Sequence, residues 1–208
     1  MSILGNRVIR KEDPHLLTGG GGYVDNVKLE GARWVTFVRS SVPHALLRSV
    51  DTSAAAAMPG VEAVVTADDL GFPAMPAPNF FPNIDQRFYR WLLAKERVRF
   101  VGEPIVAILS ANKYVGADAA EQVVIDYEPL PVVADMARSK TEEVLLFPDI
   151  GTNACASLLL PDVPDLFEGA DVVVSQTMIN RRISPAPLEG RACAAHYDGE
   201  RLTYYAST

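Results

Sequence analysis

The spacing of apolar positions changes several times along the chain, and each change marks an element. Trp34 to Ser40, WVTFVRS, is β-branched and aromatic with partial alternation, and Leu46 to Asp51 continues in the same manner, so two strands are predicted. Thr52 or Ser53 then caps a run of alanines that Pro59-Gly60 ends, which predicts a short helix over 52–58. Val61 to Thr66 alternates into another strand with the acidic pair Asp68-Asp69 at its exit, and strand, helix, strand reads as a β-α-β unit. Pro73, Pro76, Pro78 and Pro82 then interrupt the chain around Phe80-Phe81. Residues 71–91 are therefore read as a long excursion that lacks regular structure but offers apolar surface.

Arg97 to Ser110, RVRFVGEPIVAILS, holds two β-rich halves separated by Gly102-Glu103-Pro104, where proline removes a ladder donor and glycine permits a turn. The second half is nearly all apolar and predicts a buried strand. Asn112 caps a predicted helix through Gln122 that places Val115, Ala119, Ala120 and Val123 on one face. Val123 to Tyr127 returns to period two and is closed by Pro129 and Pro131. From Ala134 to Glu168 no period persists and prolines recur, so this stretch is the expected linker. Strands are predicted again over Asp171 to Ile183 and Ala192 to Tyr197, and Asp198-Gly199 supplies a tight turn into Arg201 to Ser207. The four glycines Gly19 to Gly22 cost too much backbone entropy to sit in a helix or strand and are read as a loop.

Composition narrows the class. At 208 residues the chain exceeds a typical domain of roughly 100–150 residues, so one large domain or one domain plus part of another is expected. Hydrophobic residues make up 49% and charged residues 22%, which argues for a folded chain and against disorder. A net charge of -7 makes nucleic acid an unsuitable partner. The first 13 residues lack the apolar stretch of a secretory signal, and no run is long enough to span a membrane, so the expected location is the cytoplasm. Cys155 and Cys193 have no C-x-x-C spacing and read as reduced thiols.

Residue chemistry alone yields no catalytic constellation. His15, His44 and His196 lie far apart, with no cysteine or carboxylate at ligand spacing, and read as ordinary hydrogen-bonded or exposed histidines. No lysine-serine or lysine-threonine pair follows the glycine run, so it is read as a turn and not as a phosphate cradle. G-x-S-x-G is absent, and the adjacent pairs Asp68-Asp69 and Glu142-Glu143 read as a solvated strand edge. The aromatic excursion, Phe80, Phe81, Phe88, Tyr89 and Trp91, is the one irregular stretch rich in large apolar groups, suited to packing or to a channel wall.

Several segments together resemble the large, molybdopterin-binding subunit of the molybdenum hydroxylases, the xanthine dehydrogenase, aldehyde oxidase and carbon monoxide dehydrogenase family. RKEDPHLLTGGGGYVDN, Arg10 to Asn26, is similar to the family's entry motif. Phe37 to Leu70 resembles the first half of the family's α/β hammerhead domain, and Val98 to Val133, with its V-G-E-P turn, the second half. Ile183 to Thr208 is similar to the start of the first molybdopterin-binding domain. One departure stands out: Glu189-Gly190-Arg191 has glycine where the family usually has proline.

The resemblance implies an α+β fold: an N-terminal extension (1–19), an α/β hammerhead domain (20–133), a connector (134–168) and the first, β-rich part of a molybdopterin-binding domain (169–208), which is expected to be incomplete. For the complete assembly it implies oxidation of an aldehyde, N-heterocycle, acyl thioester or carbon monoxide at a molybdopterin-molybdenum cofactor, with electrons passed to iron-sulfur clusters and FAD. The family's metal-approaching glutamine follows the Ser-Thr that matches Ser207-Thr208, and its pterin loops and base glutamate lie farther along. No catalytic, cofactor-binding or metal residue is therefore assigned here, and the chain alone is expected to be structural and inactive. The expected partners are the rest of the large subunit and the iron-sulfur and FAD subunits, in a hetero-oligomer. By position, Phe88, Tyr89 and Trp91 are the candidates for lining a substrate channel. The competing reading is a free-standing hammerhead that serves as an interaction or assembly module without redox activity.

Overall fold

A one-turn helix α1 (Asp13–Leu17) and a 3-10 turn over Val24–Asn26 precede the first strand. The chain then runs through β1 (Trp34–Arg39), β2 (Ala45–Asp51), α2 (Ser53–Ala56), β3 (Val61–Val65), α3 (Ala67–Leu70), β4 (Arg97–Val98), β5 (Pro104–Ser110), α4 (Lys113–Glu121), β6 (Val124–Pro129) and α5 (Met136–Ser139). It closes with β7 (Cys193–Tyr197) and β8 (Leu202–Ala206). The computed structural model describes residues 4–5, 7–8, 10–78, 83–158, 163–181, 183–187 and 189–207; Phe80 and Phe81 of the excursion, and Thr208, lie outside them. Contacts divide the chain into one unit of Arg33–Leu166 and another formed by Met1–Ala32 with Phe167–Thr208.

Two antiparallel sheets build the larger unit, one in the order β1-β5-β3 and one in the order β4-β2-β6. β2 and β3 thus fall in different sheets, and the expected β-α-β unit is not formed. The reason is length: α2 has four residues, whereas a parallel crossover needs about a dozen. The core draws on both sheets and on α2 and α4, and consists of Ala45, Ala55, Ala94, Val98, Ile105, Val106, Ile108 and Ala119. The nearly continuous apolar run predicted for β5 is the most buried strand of the unit.

Helix α4 starts where the sequence places it, because the Asn112 side chain accepts from the amides of Tyr114 (3.0 Å) and Val115 (3.1 Å). It packs on β1 and β5 through Gly116, where a Cβ would lie 2.3 Å from Thr36 Oγ1 and 2.8 Å from Ser110 Oγ. Asp68-Asp69 do not form a strand edge. They open α3, where Asp69 accepts from the Thr66 amide at 2.8 Å in a capping box and Asp68 pairs with Lys95 at 2.7 Å.

The stretch expected as a linker folds in part onto the larger unit. Asn153 Oδ1 accepts from the Leu146 amide, and its Nδ2 donates to the carbonyls of Ser139 and Val144, which ties 139–153 into a closed loop. The Asp85 amide donates to the Cys155 carbonyl at 2.8 Å. These bonds involve single side chains and leave no periodic trace, so the apolar pattern did not reveal them. In the other unit, the described part of the strand predicted over 171–183 is irregular and exposed. Alternation there meets no ladder partner among the described residues, and without one a strand leaves its amides and carbonyls unpaired. The hairpin β7-β8 does form, with Asp198 Oδ1 accepting from the amides of Glu200 and Arg201 around Gly199 at φ +104°. The Val24 amide donates to the Glu189 carboxylate at 2.7 Å and joins the two sequence pieces of this unit.

Candidate functional site

The turn between β4 and β5 holds the most heavily buried carboxylate of the described residues. Gly102, at φ +90°, lets the chain reverse, its amide donates to the Ser40 carbonyl, and the Ser40 amide donates to the Glu103 carbonyl, both at 2.8 Å. This turns the Glu103 side chain inward, where it is 5% exposed and Oε2 accepts from the Arg99 amide at 2.5 Å. Burial pushes the Glu103 carboxyl above its ordinary value, while the Arg99 amide and the charges of Arg99 and Arg90 pull it back.

Arg99 leads outward from this carboxylate to the excursion. Its guanidinium lies 4.2 Å from the centre of the Phe147 ring, and Nε donates to the Leu146 carbonyl at 2.9 Å. Burial lowers the Arg99 guanidinium from its usual value. Phe88 meets Phe147 edge-on with centroids 5.1 Å apart. Arg99, Phe147 and Asn153 carry no shared sequence signal, since only tertiary folding brings their segments together. Glu103 carries a usable signal: a lone acid in the Gly102-Glu103-Pro104 turn directly before an apolar strand.

The three channel candidates fall into different environments. Phe88 is 8% exposed and its ring is used against Phe147, so it presents no free surface. Tyr89 is 53% exposed. Trp91 is half-buried beneath the Lys95 ammonium, 5.0 Å from its ring centre. With Ala67, Leu70, Phe72, Leu92 and Leu93, Trp91 lines a shallow, open apolar concavity. It has no enclosed room for a ligand. His44, also buried, is held by the Pro131 carbonyl at 2.7 Å on Nδ1 and lies 3.4 Å from Arg97 Nη1.

Residues 18–131 match the family model described as "Aldehyde oxidase and xanthine dehydrogenase, a/b hammerhead domain". The chain belongs to the molybdenum hydroxylase large-subunit family. The nicotine 6-hydroxylase large subunit of Paenarthrobacter nicotinovorans is 36% identical over the whole chain, and the carbon monoxide dehydrogenase large chain of Afipia carboxidovorans 35% identical over 91% of it. Quinoline 2-oxidoreductase of Pseudomonas putida 86 has a similar structure, with a TM-score of 0.80, 28% identity and 97% of this chain covered. The chain spans about a quarter of the length of these relatives: 26%, 25% and 26% respectively. The two sheets and α4 of the larger unit are therefore the hammerhead.

The cofactor implied by this family does not fit the described residues. Among them no three His, Cys, Asp or Glu side chains gather where they would hold a metal ion. The concavity beside Trp91 is apolar and too small for a pterin, and Glu103 is already engaged by the Arg99 amide. What this arrangement supplies is a rigid turn, an aromatic and guanidinium stack, and exposed apolar surface beside them.

Proposed function

We propose that this chain acts as the structural hammerhead portion of a molybdenum hydroxylase large subunit and contributes no reacting group by itself. In the assembled enzyme an aldehyde, N-heterocycle, acyl thioester or carbon monoxide is oxidised at a molybdopterin-molybdenum cofactor held by other polypeptide, and electrons leave through iron-sulfur clusters and FAD. The single observation that carries this reading is the β7-β8 hairpin. Its register puts Cys193, Ala195, Tyr197, Leu202, Tyr204 and Ala206 on one face, all exposed, with Tyr204 at 60%. A two-stranded hairpin with an apolar exposed face is marginal in water and is stabilised when further strands or a neighbouring layer cover it.

Tyr89 and Trp91 are the residues proposed to border a substrate passage, with Phe88 holding the backbone behind them by its packing on Phe147. The second reading, a free-standing assembly module, draws on the closed core of the hammerhead, which is buried without help from the hairpin. Purification of the tagged protein from cells that produce it separates the two. The enzyme reading expects a stable complex with a larger polypeptide and stoichiometric molybdenum by elemental analysis. A folded, monomeric, metal-free protein whose hairpin amides resist hydrogen exchange would establish the module instead.

A further inference from the structure

Away from its two irregularities, strand alternation assigns the residues of the β1-β5-β3 sheet to two faces; Ile105, skipped by the register shift between Val38 and Arg39, is buried in the core. Val38, Val61, Val64, Val106 and Ile108 face the core, and Thr36 and Ser110 face α4. The register sets Val35 opposite Leu109 and Phe37 opposite Ala107 on one side, and Ala63 opposite Leu109 and Val65 opposite Ala107 on the other. These six residues share the opposite face, and all six are apolar. An antiparallel sheet that keeps one face in water alternates apolar-in with polar-out. Here the outward positions are apolar too, with Val35 53% and Phe37 44% exposed and the other four half-buried. Such a face is built to be covered.

A positive group stands at the end of β1. Arg39 stacks its guanidinium 5.3 Å from the Phe37 ring centre and donates from Nη1 to the Gly102 carbonyl. Among the described residues no carboxylate pairs with it. A second copy of the chain is a poor occupant, because each copy carries a net charge of -7 and two copies repel. About three quarters of the length of the relatives has no counterpart in this chain, which makes a further domain of the same large subunit the available layer.

We propose that the outer face of the β1-β5-β3 sheet is the seat of another domain of a large-subunit polypeptide, whose apolar patch covers Val35, Phe37 and Leu109 and whose rim offers a carboxylate to Arg39. This rests on the assembly reading above and deepens it by naming the face. An interface of this kind resembles a domain core cut in two, apolar at its centre with charge confined to the edge.

The test mixes the 208-residue protein with the nicotine 6-hydroxylase large subunit of Paenarthrobacter nicotinovorans from which the matching quarter has been removed, and measures complex formation by light scattering and titration. The double variant Val35→Lys, Phe37→Glu is expected to bind at least tenfold more weakly, and Arg39→Glu several-fold. Tyr114→Lys, an exposed position on α4, is expected to bind as the unsubstituted protein does. Melting curves of the isolated variants establish that the hammerhead still folds. If a complex forms and the double variant joins it with unchanged affinity, this inference is wrong and the assembly reading stands. If no complex forms, both fail. A discrete dimer of the chain alone that Phe37→Glu dissolves would give the face to a second copy and overturn the assignment.

Discussion

Glu103 shows how one residue can fix a turn at a cost in electrostatics. Its carboxylate is taken out of water and compensated by a backbone amide at 2.5 Å together with the nearby positive charges of Arg99 and Arg90. Burial wins, so the carboxyl titrates above its ordinary value in the folded protein. The linkage sign follows. The stability conferred by this group is fully present below the unfolded value of 4.5 and is lost as pH rises through the higher folded value. Glu103→Gln keeps an oxygen for the Arg99 amide and does not titrate. Its melting temperature is therefore expected to gain on that of the unsubstituted protein by a few degrees between pH 4 and pH 7. Thermal melts at the two pH values check this; a difference that stays constant or shrinks would mean that the carboxylate is not penalised by burial.

At the scale of elements, α4 against β1 and β5 is the contact that leaves least room. Gly116 brings the helix so near the sheet that an added Cβ would meet Thr36 Oγ1 at 2.3 Å, and both strands are fixed by their ladders. Gly116→Ala is expected to lose about 1–3 kcal/mol of stability through overpacking, and adding Thr36→Ala to recover part of it, as read by denaturant unfolding. This helix was legible in the sequence because its cap, its apolar spacing and its end are all local, and the same holds for β1, β2, β3, β5, β6 and the Asp198-Gly199 hairpin. Features decided at a distance were not legible. The separation of β2 and β3 into two sheets depends on the length of a four-residue helix, and the binding of 139–153 depends on one asparagine amide. The alternation of 171–183 predicts a strand, yet no partner strand meets its described part among the described residues. Position along the chain groups the channel candidates, and only tertiary packing separates buried Phe88 from exposed Tyr89.

Across the whole molecule, order is distributed unevenly. Arg33–Leu166 holds the buried core, the two three-stranded sheets and the Asn153 loop, whereas 163–181 has neither helix nor strand and is exposed throughout. Backbone that lacks both ladder bonds and buried apolar neighbours opens at little free-energy cost, and proteolysis finds it first. Brief digestion with a broad-specificity protease is expected to make its earliest cuts between 163 and 187 and to leave a resistant fragment that retains β1 through α5. The β7-β8 hairpin is cut from the chain bearing that core, and its exposed Tyr197, Leu202 and Tyr204 gain no new cover from the event. Mass spectrometry of the first fragments decides the matter. Cleavage inside β5 or α4 before any cut in 163–187 would show that the hammerhead is not the stable body described here. If assembly covers the hairpin and its approach, adding the truncated large subunit should slow those early cuts at least severalfold and leave cleavage within the hammerhead as slow as before.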